Sequence, residues 1–130
     1  MIGLDASAAV DWLLETSAGQ HIETRIYSRK ESLHGPQLLE IEVAQVLRRL
    51  VRQGTVAARR ADEAIDDLMD LPMTRYPHAV LLPRVWQLRH ALSAYDALYV
   101  ALAEVLDAPL LTCDGRIASA PGHHAVVEVV

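Results

Sequence analysis

The chain opens on a short apolar run, Met1-Ile2-Gly3-Leu4, followed by Asp5 and a helical stretch from Ala6 to Leu14. That order predicts a strand, then a helix, with Asp5 at the junction. Ile22 and Ile26, at i,i+4 spacing, predict a second helix from near Gly19 to Tyr27, and Ser32-Leu33-His34 reads as a short strand. Gly35-Pro36 reads as a helix start, with Pro36 in the first turn and Leu39, Val43, Val46, Leu47 and Leu50 forming an apolar stripe that lasts to Gly54. A further helix is expected over roughly Val56 to Leu71, with Ile65, Leu68 and Met69 inward and Asp62, Glu63, Asp66, Asp67 and Asp70 outward. Pro72 to Tyr76 predicts a strand, and Pro77 opens a helix that includes Val80, Leu81, Val85, Trp86 and Leu88. Ser93 to Leu106 is the most apolar segment, so its helix should be buried. Pro109 to Cys113 follows as a buried strand, Asp114-Gly115 turns the chain into a short helix, and Ala125 to Val130 closes as a strand. Strands alternating with helices, without tight hairpin signals, indicate an α/β fold of three layers, α/β/α, around a mainly parallel sheet.

At 130 residues with 52% hydrophobic content, residues 1–130 fit one domain without repeats. Twelve basic against 17 acidic residues give a net charge of −5, so general attraction to a polyanion cannot supply nucleic-acid affinity, and any such activity must rest on a local site. The one cysteine, Cys113, excludes an intramolecular disulfide framework and a Cys-based zinc knuckle, and reads as a small buried hydrophobe. The N-terminus has no signal-peptide pattern and no stretch is long enough for a membrane span, so the cytoplasm is the expected location.

Four acids stand out. Asp5 lies between a strand and a helix, where a helix cap is its plain structural role. Asp96 follows Ser93-Ala94-Tyr95, a capping-box pattern, but Leu92, Tyr99 and Val100 share its helical face, and a carboxylate among them needs a partner. Asp114 precedes Gly115, which an Asp-Gly turn explains. Glu40 and Glu42 flank the same apolar stripe at similar angles, and the wheel alone leaves both open; the neighbours Leu38, Leu39 and Val46 favour Glu42. In an open parallel sheet the carboxyl ends of the strands and the starts of the following helices share one edge. Asp5, Asp96, Asp114 and Glu42 are all expected there, and clustered carboxylates suit a hard divalent cation that can activate water against a phosphodiester.

Four blocks of sequence resemble the PIN-domain ribonucleases, specifically the VapC-type toxins of toxin–antitoxin pairs. They are Ile2-Gly3-Leu4-Asp5-Ala6-Ser7, Pro36 to Val43, Tyr95-Asp96-Ala97-Leu98-Tyr99-Val100-Ala101-Leu102-Ala103, and Leu111-Thr112-Cys113-Asp114-Gly115-Arg116. The resemblance implies a PIN-like fold, with Asp5 and Asp96 as central metal ligands and Glu42 and Asp114 completing the cluster directly or through water. It further implies Mg²⁺ or Mn²⁺ as the ion, Ser7 and Thr112 as supporting hydrogen-bonding groups, and Arg116 as a phosphate contact, with a surface or capping role for Arg116 equally open. RNA as substrate, 5′-phosphate and 3′-hydroxyl products, a homodimer and a cognate antitoxin docked helix-in-groove are the remaining implications.

Other readings fit less well. A receiver domain needs a late lysine, and the only lysine is Lys30; a haloacid-dehalogenase-type phosphatase needs Asp-x-Asp where this chain has Asp5-Ala6-Ser7. A catalytically inactive PIN-like interaction domain is the alternative function, and it predicts no Mg²⁺-dependent change in stability. His123-His124 reads as an exposed loop rather than a metal site, and Trp12 and Trp86 as core or interface residues.

Overall fold

The computed structural model describes all 130 residues. β1 (Ile2–Leu4) leads into α1 (Ala6–Leu13) and α2 (Ser17–Ser28), and β2 (Leu33–Pro36) into α3 (Leu38–Arg52) and α4 (Ala58–Asp70). β3 (Met73–Tyr76) is followed by a 3-10 turn (Ala79–Leu81), α5 (Leu82–Gln87) and α6 (Ala94–Leu106). β4 (Leu110–Thr112), α7 (Gly115–Ser119) and β5 (Val127–Val129) complete the chain. All neighbouring strands are parallel, in the order β3-β2-β1-β4-β5.

That order positions the site. The chain winds outward from the central β1 to β2 and β3, then crosses back to lay β4 on the other side of β1. The switch point therefore lies between β1 and β4, where the loops leaving the two strands diverge and open a crevice. Ile2, Leu4, Leu110 and Leu111 are almost wholly buried, as expected for strands covered on both faces. Alanine lets the covering helices approach closely: Ala8 and Ala9 of α1 and Ala97 and Ala101 of α6 have no exposed surface. Where α2 returns against α1, Gly19 is required, because a Cβ there would lie 2.1 Å from the Asp11 carbonyl oxygen.

Several sequence expectations shift. Pro36 ends β2 instead of opening α3, in register with Tyr76 of β3. Its missing N–H is harmless there, since pairing to β1 stops at His34, and the next residue, Gln37, donates to the Tyr76 carbonyl at 2.9 Å. The helix expected from Pro77 is broken into the 3-10 turn and α5, because Pro83 fits only a first helical turn. Met69, Val80 and Trp86 are exposed, while Ala61 and Ala64 join Leu68 on the inner face of α4. Trp86 thus leaves the core and carries the Arg89 guanidinium 4.8 Å from its ring centroid. Cys113 lies just beyond β4, half-buried, and burial followed by the neighbouring Asp11 carboxylate pushes its thiol up to about 12.

Candidate metal-binding active site

Asp5 sits where β1 becomes α1, and its backbone N–H still donates to the Leu111 carbonyl of β4 at 3.2 Å. One carboxylate oxygen caps α1 by accepting the Ala8 N–H at 2.9 Å, and also accepts the Ser7 hydroxyl at 2.7 Å. The other accepts the hydroxyl of Thr112. Each hydroxyl is itself fixed from behind: Ser7 Oγ accepts the Cys113 N–H and Thr112 Oγ1 the Asp114 N–H, both at 2.9 Å. With both hydroxyl protons committed to Asp5, the 3.3 Å approach of Ser7 to Thr112 is a contact only. Asp5 is 5% exposed, and burial outweighs these donors, raising its carboxyl above the usual range; repulsion from Asp96 adds to the rise.

Asp96 stands in the first turn of α6 without being its cap. Ser93 takes that role, its Oγ accepting the Asp96 N–H at 3.2 Å, so the Asp96 carboxylate is free of capping. Burial raises it first and Asp114 raises it further. Glu42 lies one turn into α3 and accepts the Tyr99 hydroxyl of α6 at 2.7 Å. It too is raised, first by burial, with Asp96 and Asp5 both contributing repulsion. Glu40 is directed elsewhere: it pairs with Arg75, whose other N–H groups donate to the carbonyls of Met73 at 2.9 Å and Leu68 at 3.1 Å. The two glutamates that the helical wheel left alike thus take different partners, Glu42 on α6 and Glu40 on β3.

Asp114 caps α7, accepting the Arg116 N–H at 3.0 Å. The Arg116 side chain also grips both of its oxygens, Nε at 3.0 Å from Oδ1 and Nη2 at 2.6 Å from Oδ2. That guanidinium holds the Asp114 carboxyl below the usual range. Asp5, Glu42, Asp96 and Asp114 thus form one electrostatic unit across β1, α3, α6 and the end of β4, although no three acid, His or Cys side chains stand close enough to ligate one ion as placed. The donor set fits a hard divalent cation: all its donors are carboxylate oxygens, and Asp5, Glu42 and Asp96 have their ionised form disfavoured first by burial and then by a neighbouring acid.

Sequence reasoning named Tyr99 only as an apolar neighbour of Asp96, three positions along α6; its hydroxyl bond to Glu42 depends on a helix 57 positions away. His34, also passed over, is a satisfied core histidine, with Tyr76 Oη at 2.7 Å and Ser32 Oγ at 2.9 Å from its ring nitrogens. His123 and His124 diverge, one reaching the Ile117 carbonyl at 3.0 Å and the other Glu104 at 2.9 Å, so they do not share a ligand direction.

The PIN domain profile matches residues 2–122, which contain all four acids. Along 130 residues the chain is 39% identical to Ribonuclease VapC12 of Mycobacterium tuberculosis, covering 100% of this chain and 99% of that protein. Along 129 residues it is 43% identical to Ribonuclease VapC1 of the same organism, covering 98% and 96%. This chain is a PIN domain of the VapC ribonuclease family. Solved PIN-fold relatives agree in architecture. VapC20 of M. tuberculosis, described as a sarcin-ricin loop cleaving toxin, superposes with a TM-score of 0.68 at 18% identity, over 97% of this chain and 98% of that one. VapBC2 of Rickettsia felis, solved bound to a fragment of promoter DNA, gives 0.71 at 12% identity over 99% and 98%. The five-stranded parallel sheet with helices on both faces is thus the PIN arrangement, and the acidic edge of this VapC-type chain lies at its switch point.

Proposed function

We propose that this PIN domain is the toxin of a toxin–antitoxin pair, an endoribonuclease that depends on Mg²⁺ or Mn²⁺. The observation that carries the reading is the coupling of Asp5, Glu42 and Asp96, each raised by burial and by another member of the cluster. Asp5, Glu42 and Asp96 would hold the ion, with Asp114 contributing directly or through water. When bound, the ion supplies charge neutralisation at the scissile phosphate and acidifies water for attack.

The chain's own residues then divide the work. Ser7 and Thr112 fix both oxygens of Asp5 by donating to them, which keeps the carboxylate in one orientation. Arg116, with 88% of its side chain exposed, offers a planar fork of donors that matches a phosphate bidentately and lies beside Asp114. With a net charge of −5, the protein draws RNA through this local site and not through its overall field.

The relatives named VapC ribonucleases support the activity, and the VapBC2 structure supports an antitoxin partner. The α3–α4 groove, where Leu47, Val51, Ala61 and Ile65 meet Arg48 and Arg52, suits the apolar face of an antitoxin helix. Exposed Leu82 and Trp86 on α5 suit a homodimer contact. No helix is long and apolar enough to cross a membrane, in keeping with action in the cytoplasm.

The test is incubation of purified protein with a mixed RNA pool, with and without Mg²⁺, and mapping of the cut ends. Cleavage that leaves 5′-phosphates, stops on chelation and is lost in Asp96→Asn is the expected result. An Asp96→Asn protein that cuts as well as the parent overturns the assignment.

A further inference from the structure

The Tyr99 side chain is 2% exposed, in the middle of the most apolar helix, where phenylalanine would fill the same space. A buried phenol needs a partner for its O–H, and this one donates to Glu42 Oε1 at 2.7 Å. No other side-chain hydrogen bond reaches the Glu42 carboxylate, so its Oε2 has no protein donor. Tyr99 also stands one turn beyond Asp96 on α6, so a single helix carries one acid of the cluster and the holder of another.

We infer that Tyr99 is a positioning residue: its buried hydroxyl pins one oxygen of Glu42 and leaves the other for a divalent cation, so that cation affinity depends on this bond. The inference rests on the metal-dependent reading above. A long glutamate on a half-exposed helical face has three rotatable bonds, and without a fixed donor it would spread over many rotamers. Groups that orient a ligand from behind typically change metal affinity about 10-fold to 100-fold when removed.

The experiment is Tyr99→Phe, which removes one oxygen and keeps the ring. Free Mn²⁺ is counted by electron paramagnetic resonance during titration of the full-length chain, beside the parent. A Kd about 10-fold weaker is expected, with the melting temperature in chelator close to that of the parent. RNA cleavage should fall at limiting Mn²⁺ and recover when Mn²⁺ is raised, a split that loss of packing would not produce. In a Glu42→Gln background the same change should add nothing further. Parent-like Mn²⁺ affinity in Tyr99→Phe, or a full further loss in the Glu42→Gln background, overturns the inference. A parent that neither takes up Mn²⁺ nor cuts RNA overturns the proposed function, and the inference falls with it.

Discussion

Thr112→Val isolates the support beneath Asp5. Thr112 has no exposed surface, its hydroxyl donates to one oxygen of the buried Asp5 carboxylate, and Thr112 Oγ1 itself accepts the Asp114 N–H at 2.9 Å. Valine keeps the volume and removes both bonds. A hydrogen bond to a charged group contributes about 1.5–3 kcal/mol, and the half-buried Asp114 N–H recovers part of its loss from water, so the expected cost is about 2–3 kcal/mol. That is a sizeable part of the ~5–15 kcal/mol that holds a domain folded. The assay is urea unfolding in chelator, at neutral pH and again in acid. Burial already raises the folded-state pKa of Asp5, so its ionised form opposes folding and stability is regained as pH falls through that raised value. Valine raises it further. The deficit of the variant should therefore be full near neutrality and shrink as the carboxyl takes up its proton. A loss below about 0.5 kcal/mol, the scale of an ordinary surface change, or a loss that does not vary with pH, would refute this account of Asp5.

Three further outcomes are expected. Asp96→Asn should abolish cleavage and any Mg²⁺-dependent rise in melting temperature, yet melt no lower than the parent in chelator, since it removes a charge repelled by Asp5, Glu42 and Asp114. Arg116→Ala should leave the melting temperature unchanged while slowing RNA cleavage, and the Asp114 carboxyl, now held low by that guanidinium, should titrate at higher pH by NMR. Gly19→Ala should cost about 3 kcal/mol in urea unfolding, by overpacking a closed contact, because its Cβ would meet the Asp11 carbonyl at 2.1 Å and force α2 away from α1.

The alternation of apolar runs and amphipathic stretches was enough to place every strand and the order of helices, because a parallel sheet leaves few other ways to bury them. The same logic put Asp5, Asp96 and Asp114 at strand ends and helix starts, which is where their backbones lie. What pattern could not supply was long-range. Glu42 and Glu40 look alike on a wheel, their local neighbours favour Glu42 only slightly, and their different partners, Tyr99 and Arg75, lie far along the chain. Pro36 looked like a helix opener since its local chemistry suits one, but the neighbouring strand β3 claims it for the sheet. Trp86 was open to a core or an interface position, and the short α5 leaves it exposed. Periodicity reports which face of a helix is apolar, and says little about a helix of one or two turns.

Asp5 and Thr112, joined side chain to side chain, are separated by 107 positions. A polypeptide emerging from the ribosome carries its first acid from the outset, but the strand that braces it arrives only after most of the chain has been made. Until β4 slots in beside β1, one oxygen of the Asp5 carboxylate lacks its donor, so a chain that stops short of Thr112 cannot hold that acid as the full-length fold does.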